Sequence, residues 1–249
     1  MARFCIKIAG AVARVDSLFE STRDYCAAYL TEETPGFAVA VTREDLAFEQ
    51  QELDEEACRE GMRRRVFTDP FLERAAIQRK VAQFLFSQDV LMLHGSAVAV
   101  DGEGYLFMAK CGTGKSTHTR YWRETFGDRA VMVNDDKPFV AVTGEGAVLF
   151  GSPWSGKHGL HANVAVPLKG ICILQRGAEN KIWPLQPEEA IPMLLAEGTE
   201  PVQESLPRYG ALVEKLAAVT PLWGMSCTKD PLAARVSYQA MSGKEGERI

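Results

Sequence analysis

No run of about 18 apolar residues occurs in the chain, so no segment is long enough to cross a bilayer as a helix. The opening stretch "MARFCIKIAGAVARV" is interrupted by Arg3, Lys7 and Arg14, which predicts no secretory leader. Excess positive charge is missing too. The net charge is -5, which argues against duplex DNA or an anionic membrane as a main partner. The six cysteines (Cys5, Cys26, Cys58, Cys111, Cys172 and Cys227) form no CxxC pair and no zinc-type spacing. Scattered cysteines of this kind predict reduced thiols and a cytoplasmic protein. There is also no internal repeat and no low-complexity linker.

What is present is a globular composition. Hydrophobic residues make up 46% and charged residues 24%, which excludes disorder of the whole chain. The 249 residues suit one large α/β domain or a core with an accessory lobe. Residues 1–85 read as the lobe. They hold strand-like "FCIKIAG" and "GFAVAVTRED", but no evident catalytic chemistry. "LDEEACREGMRRR" predicts a helix with acids early and Arg63, Arg64 and Arg65 in its last turn, matching the helix dipole. Thr68-Asp69-Pro70 opens a further helix.

Residues 86–249 carry the chemistry. "HGSAVAVDGEGYLFMA" predicts a hairpin that feeds into "AKCGTGKST", and "STHTRYWRETFG" predicts a helix stopped by Gly127. The strand–loop–helix order fits a Walker A loop, GxxxxGK[ST], whose backbone N–H groups ring phosphates. Gly112, Thr113, Gly114, Lys115, Ser116 and Thr117 are the candidate nucleotide residues, with Lys115 on the β and γ oxygens and Ser116 on Mg²⁺. Ala109 stands where the motif has its first glycine, which is tolerable if φ is negative there.

"MVNDDK" follows on the next strand, with Asp135 placed 20 residues after Lys115. A carboxylate at a neighbouring strand end can reach the Mg²⁺ shell, and a second can take a proton from an attacking hydroxyl. His94, in "LMLHGSA", is expected beside the phosphate end. "GSPWSGKHGLH" reads as a mobile segment in which Lys157 could neutralise phosphate charge and Trp154 could cover the substrate. "PLKGICILQRG" predicts a strand, "PEEAIPMLLAEG" and "SLPRYGALVEKLAAV" two helices, and "LWGMSCTKDPLAARVSYQAM" a strand and a last helix before a frayed tail.

His94-Gly95, "AKCGTGKST" and "VNDDKPF", in that order, resemble the HPr serine kinase/phosphorylase catalytic domain and, more distantly, the ATP-dependent phosphoenolpyruvate carboxykinases. The resemblance runs from about Leu91 to the end of the chain. It implies an α/β, mixed-sheet P-loop domain over 86–249; residues 1–85, read from their own pattern as a small N-terminal α+β lobe, are shorter than that family's N-terminal domain and fall outside the resemblance. By the resemblance, Lys115 binds phosphate, Ser116 and Asp136 hold Mg²⁺, Asp135 and Asp136 supply the base, and His94 neighbours them. Where that family carries Arg-Gly-Leu-Gly, this chain reads "LFGSPWSGKHG", so HPr itself is not the expected acceptor. The implied activity is ATP- and Mg²⁺-dependent transfer of a γ-phosphoryl group to a serine-like hydroxyl on a peptide, protein or metabolite. A homo-oligomer is implied by the same likeness. The alternative is a nucleotide-binding sensor of the same descent that transfers nothing.

Overall fold

The computed structural model describes residues 1–59, 61–198 and 205–244. It divides into two compact units, Met1–Leu85 and Phe86–Ile249. In the first, β1 (Ala2–Ile8) and β2 (Ala11–Ser17) form an antiparallel hairpin. Ala9 and Gly10 close it with φ of 49° and 81°, the positive pair that a tight two-residue turn demands. β3 (Phe37–Ala40) adds to β2 in parallel. Around this sheet lie α1 (Glu20–Tyr25), α2 (Arg43–Arg59) and α3 (Asp69–Phe86). The carboxylate of Glu73, on α3, is fully buried and accepts bonds from the backbone N–H of Leu18 and Phe19 and from the Thr22 hydroxyl. A buried polar group is tolerable when donors satisfy it in this way.

One expectation fails here. Arg63, Arg64 and Arg65 are not the last turn of a helix. α2 ends at Arg59, Gly61 takes φ of 67°, and residues 62–68 run on without regular structure. A glycine in the left-handed region ends the helix before the dipole can act on the arginines.

The second unit is built on a curled, nine-stranded mixed sheet, ordered β4-β8-β9-β10-β6-β5-β7, with β12 on β10 and β11 on β12. The strands are β4 (Val90–Met92), β5 (Ser96–Val100), β6 (Glu103–Met108), β7 (Ala130–Asn134), β8 (Phe139–Val142), β9 (Ala147–Phe150), β10 (Ala165–Arg176), β11 (Lys181–Pro184) and β12 (Leu222–Cys227). The long β10 makes the curl. Its first residues pair antiparallel with β9, and its later ones run parallel between β6 and β12.

The helices are α4 (Lys115–Phe126), α5 (Pro187–Glu197), α6 (Leu206–Val219) and α7 (Leu232–Ser242). Alternation along the strands feeds two cores. Ala97, Ala99, Leu106 and Met108 join the cluster that includes Leu194 of α5 and Leu212, Val213 and Leu216 of α6. Val98, Val100, Tyr105 and Phe107 join Trp122 and Phe126 of α4 and Tyr238 of α7. This is the period of two expected when both faces of a sheet are covered. α6 forms despite Pro207 and Gly210, because Pro207 sits in the first turn, where its missing N–H costs nothing. Residues 245–249 of the expected frayed tail lie outside the described residues.

Candidate active site

Strand direction explains why chemistry gathers on one edge. β6, β10 and β12 run parallel, β5 is antiparallel to β6, and β7 is antiparallel to β5. The carboxyl ends of β6, β7, β10 and β12 therefore share an edge with the start of β5. That edge carries the glycine-rich loop, Asp135 and Asp136, Arg176, Cys227 and the His94–Ser96 segment. Open sheets bind ligands at such an edge. The sequence had implied that the double aspartate follows a strand adjacent to the loop strand. The structure instead inserts β5 between β6 and β7.

The loop leaves β6 through Ala109, which is fully buried and is not among the residues of positive φ. Alanine is therefore unstrained there. Gly112 and Gly114 bear the curl, with φ of 76° and 125°. α4 begins at Lys115, whose Nζ donates to the Ala109 carbonyl at 2.8 Å. Burial pushes the Lys115 pKa down. The Arg176 guanidinium crosses from β10 and donates to the Gly112 carbonyl at 2.5 Å. Ser116 is exposed and Thr117 half-buried at the start of the helix.

The two aspartates turn to different neighbours once β7 has ended. Asp135 is buried and accepts from the Ser96 hydroxyl at 2.6 Å, and Ser96 also meets Thr119 of α4 at 2.7 Å. Asp136 lies 3.5 Å from His94 Nε2, and its pKa is raised, first by burial, against the lowering charges of Lys137 and Lys115. Asn134, fully buried, sets this turn. Its Oδ1 accepts from the N–H groups of Asp136 and Lys137, both at 2.7 Å, while its Nδ2 donates to the Ser152 carbonyl at 2.9 Å.

His94 is held on two sides. Its backbone N–H donates to the Glu197 carbonyl at 2.9 Å, and its Nδ1 lies 3.2 Å from Glu197 Oε2. Burial, reinforced by Lys137 and Lys115, lowers its pKa to about 4, so the ring is neutral near pH 7. The two ring nitrogens thus face one carboxylate each, Nδ1 that of Glu197 and Nε2 that of Asp136.

Sequence reasoning missed Ser96, Asn134, Lys137 and Glu197. Asn134 and Lys137 adjoin the aspartates and could have been marked by adjacency. Glu197 is more than a hundred residues from His94 in the chain, and no spacing points to it.

The segment after β9 corrects a second expectation. Gly151 to Ser155 are buried, and Trp154 packs edge-on against Phe139 with ring centroids 6.3 Å apart. Trp154 is therefore a packing residue, not a cover for substrate. Lys157 is exposed in a short 3-10 turn, Gly156–His158. The turn lies near Asp136, since a Cβ on Gly156 would come within 3.3 Å of Asp136 Cβ. Beside the loop opens a cleft of about 220 Å³, lined among others by Thr117, Tyr121, Arg176, Thr228 and Lys229. Among the described residues, no group of three His, Cys, Asp or Glu is spaced to hold a metal ion.

No curated protein matches the sequence. Among solved structures, the HPr(Ser) kinase/phosphatase from Coxiella burnetii overlaps at a TM-score of 0.38 and 10% identity, over 62% of this chain and 99% of that one. The family described as SynChlorMet cassette protein ScmC matches residues 72–205, more than half of the chain, and the protein belongs to that family.

Proposed function

We propose that the chain is an ATP- and Mg²⁺-dependent phosphotransferase with a hydroxyl acceptor. The observation that carries this reading is the convergence of Lys115, at the start of α4, with Asp136 and His94 on one sheet edge. The loop's N–H groups and Lys115 would hold the β and γ phosphates, and the neighbouring cleft would take the nucleoside. Mg²⁺ would supply charge neutralisation on the phosphates. Ser116, exposed one residue beyond Lys115, and the aspartate pair are oxygen donors of the kind it takes.

Asp136 is the stronger candidate for the base. Burial has already made it more basic than a free carboxylate, and His94 Nε2 stands 3.5 Å from it. As the acceptor oxygen bonds to the γ-phosphorus, its proton passes to Asp136. The bridging oxygen then leaves on ADP with the electrons of the broken P–O bond. Asp135, fixed by Ser96, would orient the loop side of the site. Lys157, one residue from the glycine that abuts Asp136, would add positive charge as the transferred group passes.

Phosphorus NMR of the protein with ATP and Mg²⁺, given a peptide fraction or a small-metabolite fraction, tests the proposal. A new phosphate-monoester signal, absent with Asp136→Asn, is the expected result. Saturable ATP binding with no monoester from either fraction would replace the enzyme with a nucleotide sensor.

A further inference from the structure

The arginines released from α2 form a surface that the phosphotransfer reading does not use. Residues 62–68 run irregularly and largely exposed, with Met62 56% and Val66 96% accessible. The Gln50 side chain clamps this strap. Its Nε2 donates to the Arg65 carbonyl at 2.9 Å, and its Oε1 accepts the Phe67 N–H at 2.9 Å. The two bonds fasten Arg65 and Phe67 to the same side chain of α2. Arg63, Arg65 and Phe67 line a groove of about 340 Å³ with Met62, Leu53 and Ala57, whereas Arg64 and Val66 do not line it. Among the described residues, none of the three guanidinium groups has an ion-pair partner.

We infer that this groove docks an acidic peptide segment, with a bulky apolar side chain in the groove and carboxylates two residues apart on Arg63 and Arg65. Charge complementarity selects that occupant. Two unpaired arginines two residues apart on one groove suit alternate carboxylates of an extended peptide, and guanidinium binds carboxylate bidentately. A continuous polyanion fits less well. The chain is net negative at -5, and α2 presents Glu52, Glu55 and Glu56, the last of which also lines the groove. A short segment can keep its charge on the arginine side, but a nucleic acid or an anionic bilayer cannot. The inference goes beyond the proposed transfer reaction, and it is tested without nucleotide, so the two fail separately.

The test passes a pool of short random peptides over the immobilised full chain and sequences those retained. The expected peptides carry Asp or Glu two residues apart beside a bulky apolar residue. The double variant Arg63→Glu/Arg65→Glu should reverse the enrichment toward Lys and Arg. A resynthesised acidic peptide should lose about tenfold or more in affinity for that variant, and should weaken with added salt. Arg64→Glu, a charge change at a residue outside the groove lining, should alter the affinity less than about threefold. Circular dichroism confirms that the variants are folded. Identical enrichment from the wild type and the double variant, no enrichment at all, or an equal response to all three arginines would overturn the inference. So would tighter retention of heparin or of phosphatidylserine vesicles than of any acidic peptide.

Discussion

At the residue scale the site is a set of charges held partly out of water, and that has measurable consequences. Lys115 is buried against the Ala109 carbonyl, so in the proposed reaction its cation would gain a strong partner in the phosphate. Replacing it by methionine removes one charge-assisted contact, worth about 1.5–3 kcal/mol. Lys115→Met should therefore weaken Mg·ATP binding about tenfold to a hundredfold by titration calorimetry, with the unfolding temperature held or raised. Asp136 carries the opposite sign and a sharper prediction. Its folded pKa lies above its unfolded value, so its ionised form costs stability at every pH above the unfolded pKa. Asp136→Asn removes that cost at pH 7 while removing the proposed base. The melting temperature should rise as phosphotransfer falls by about 10²–10⁴. A variant that is both slower and less stable would mean that the carboxylate is structural.

At the scale of elements, α4 is fastened at two points by chemistry that responds to change. Its start depends on Gly114, whose φ of 125° an L side chain rarely adopts. Gly114→Ala should cost roughly 1–3 kcal/mol in chemical denaturation and loosen the glycine-rich loop. Its first turn is joined to α7 through His118. His118 Nε2 accepts from Trp122 Nε1–H at 3.2 Å and lies 3.0 Å from the Ser237 hydroxyl. Burial lowers the His118 pKa to about 3, so the folded ring stays neutral where the unfolded one is already charged. Between about pH 6.5 and pH 3 the unfolded state binds the extra proton, and stability falls as pH falls through that window. The neutral replacement His118→Gln should flatten this part of the pH–stability curve and lower the plateau at pH 7. An unchanged slope would remove His118 as the titrating group.

The same elements show what the sequence could and could not disclose. The hairpin of β5 and β6, the loop, α4, and the hairpin of β8 and β9 are marked by glycine turns and alternating apolar residues, and all are present. β11 was not marked. Its four residues "KIWP" contain a proline and pair with β12. His94, the loop and the aspartates could be placed in order along the chain, but not in space. Their convergence depends on β5 entering between β6 and β7, a non-local pairing that periodicity does not encode. Glu197 escaped for a related reason. It reaches His94 only because the end of α5 bridges back to Leu93.

At the scale of the whole molecule the two units have separate sources of stability. Residues 86–249 contain both strand-fed cores and every residue proposed for nucleotide, whereas residues 1–85 have their own sheet, the buried Glu73 and the Arg79–Glu49 pair at 2.6 Å. A ligand that binds only the folded second unit stabilises that unit by mass action, about 2.7 kcal/mol at a hundred times its dissociation constant. Hydrogen exchange with saturating Mg·ATP should therefore slow the amides of β5, β6 and α4 and leave those of β1, β2 and β3 unchanged. The Arg63→Glu/Arg65→Glu chain should show the same slowing, because its substitutions lie in the first unit. Equal protection of β1–β3 would mean that the units unfold together and that nucleotide is sensed across the whole chain. Slowing confined to the second unit, lost with Lys115→Met, would locate the nucleotide on the edge where β6, β7, β10 and β12 end.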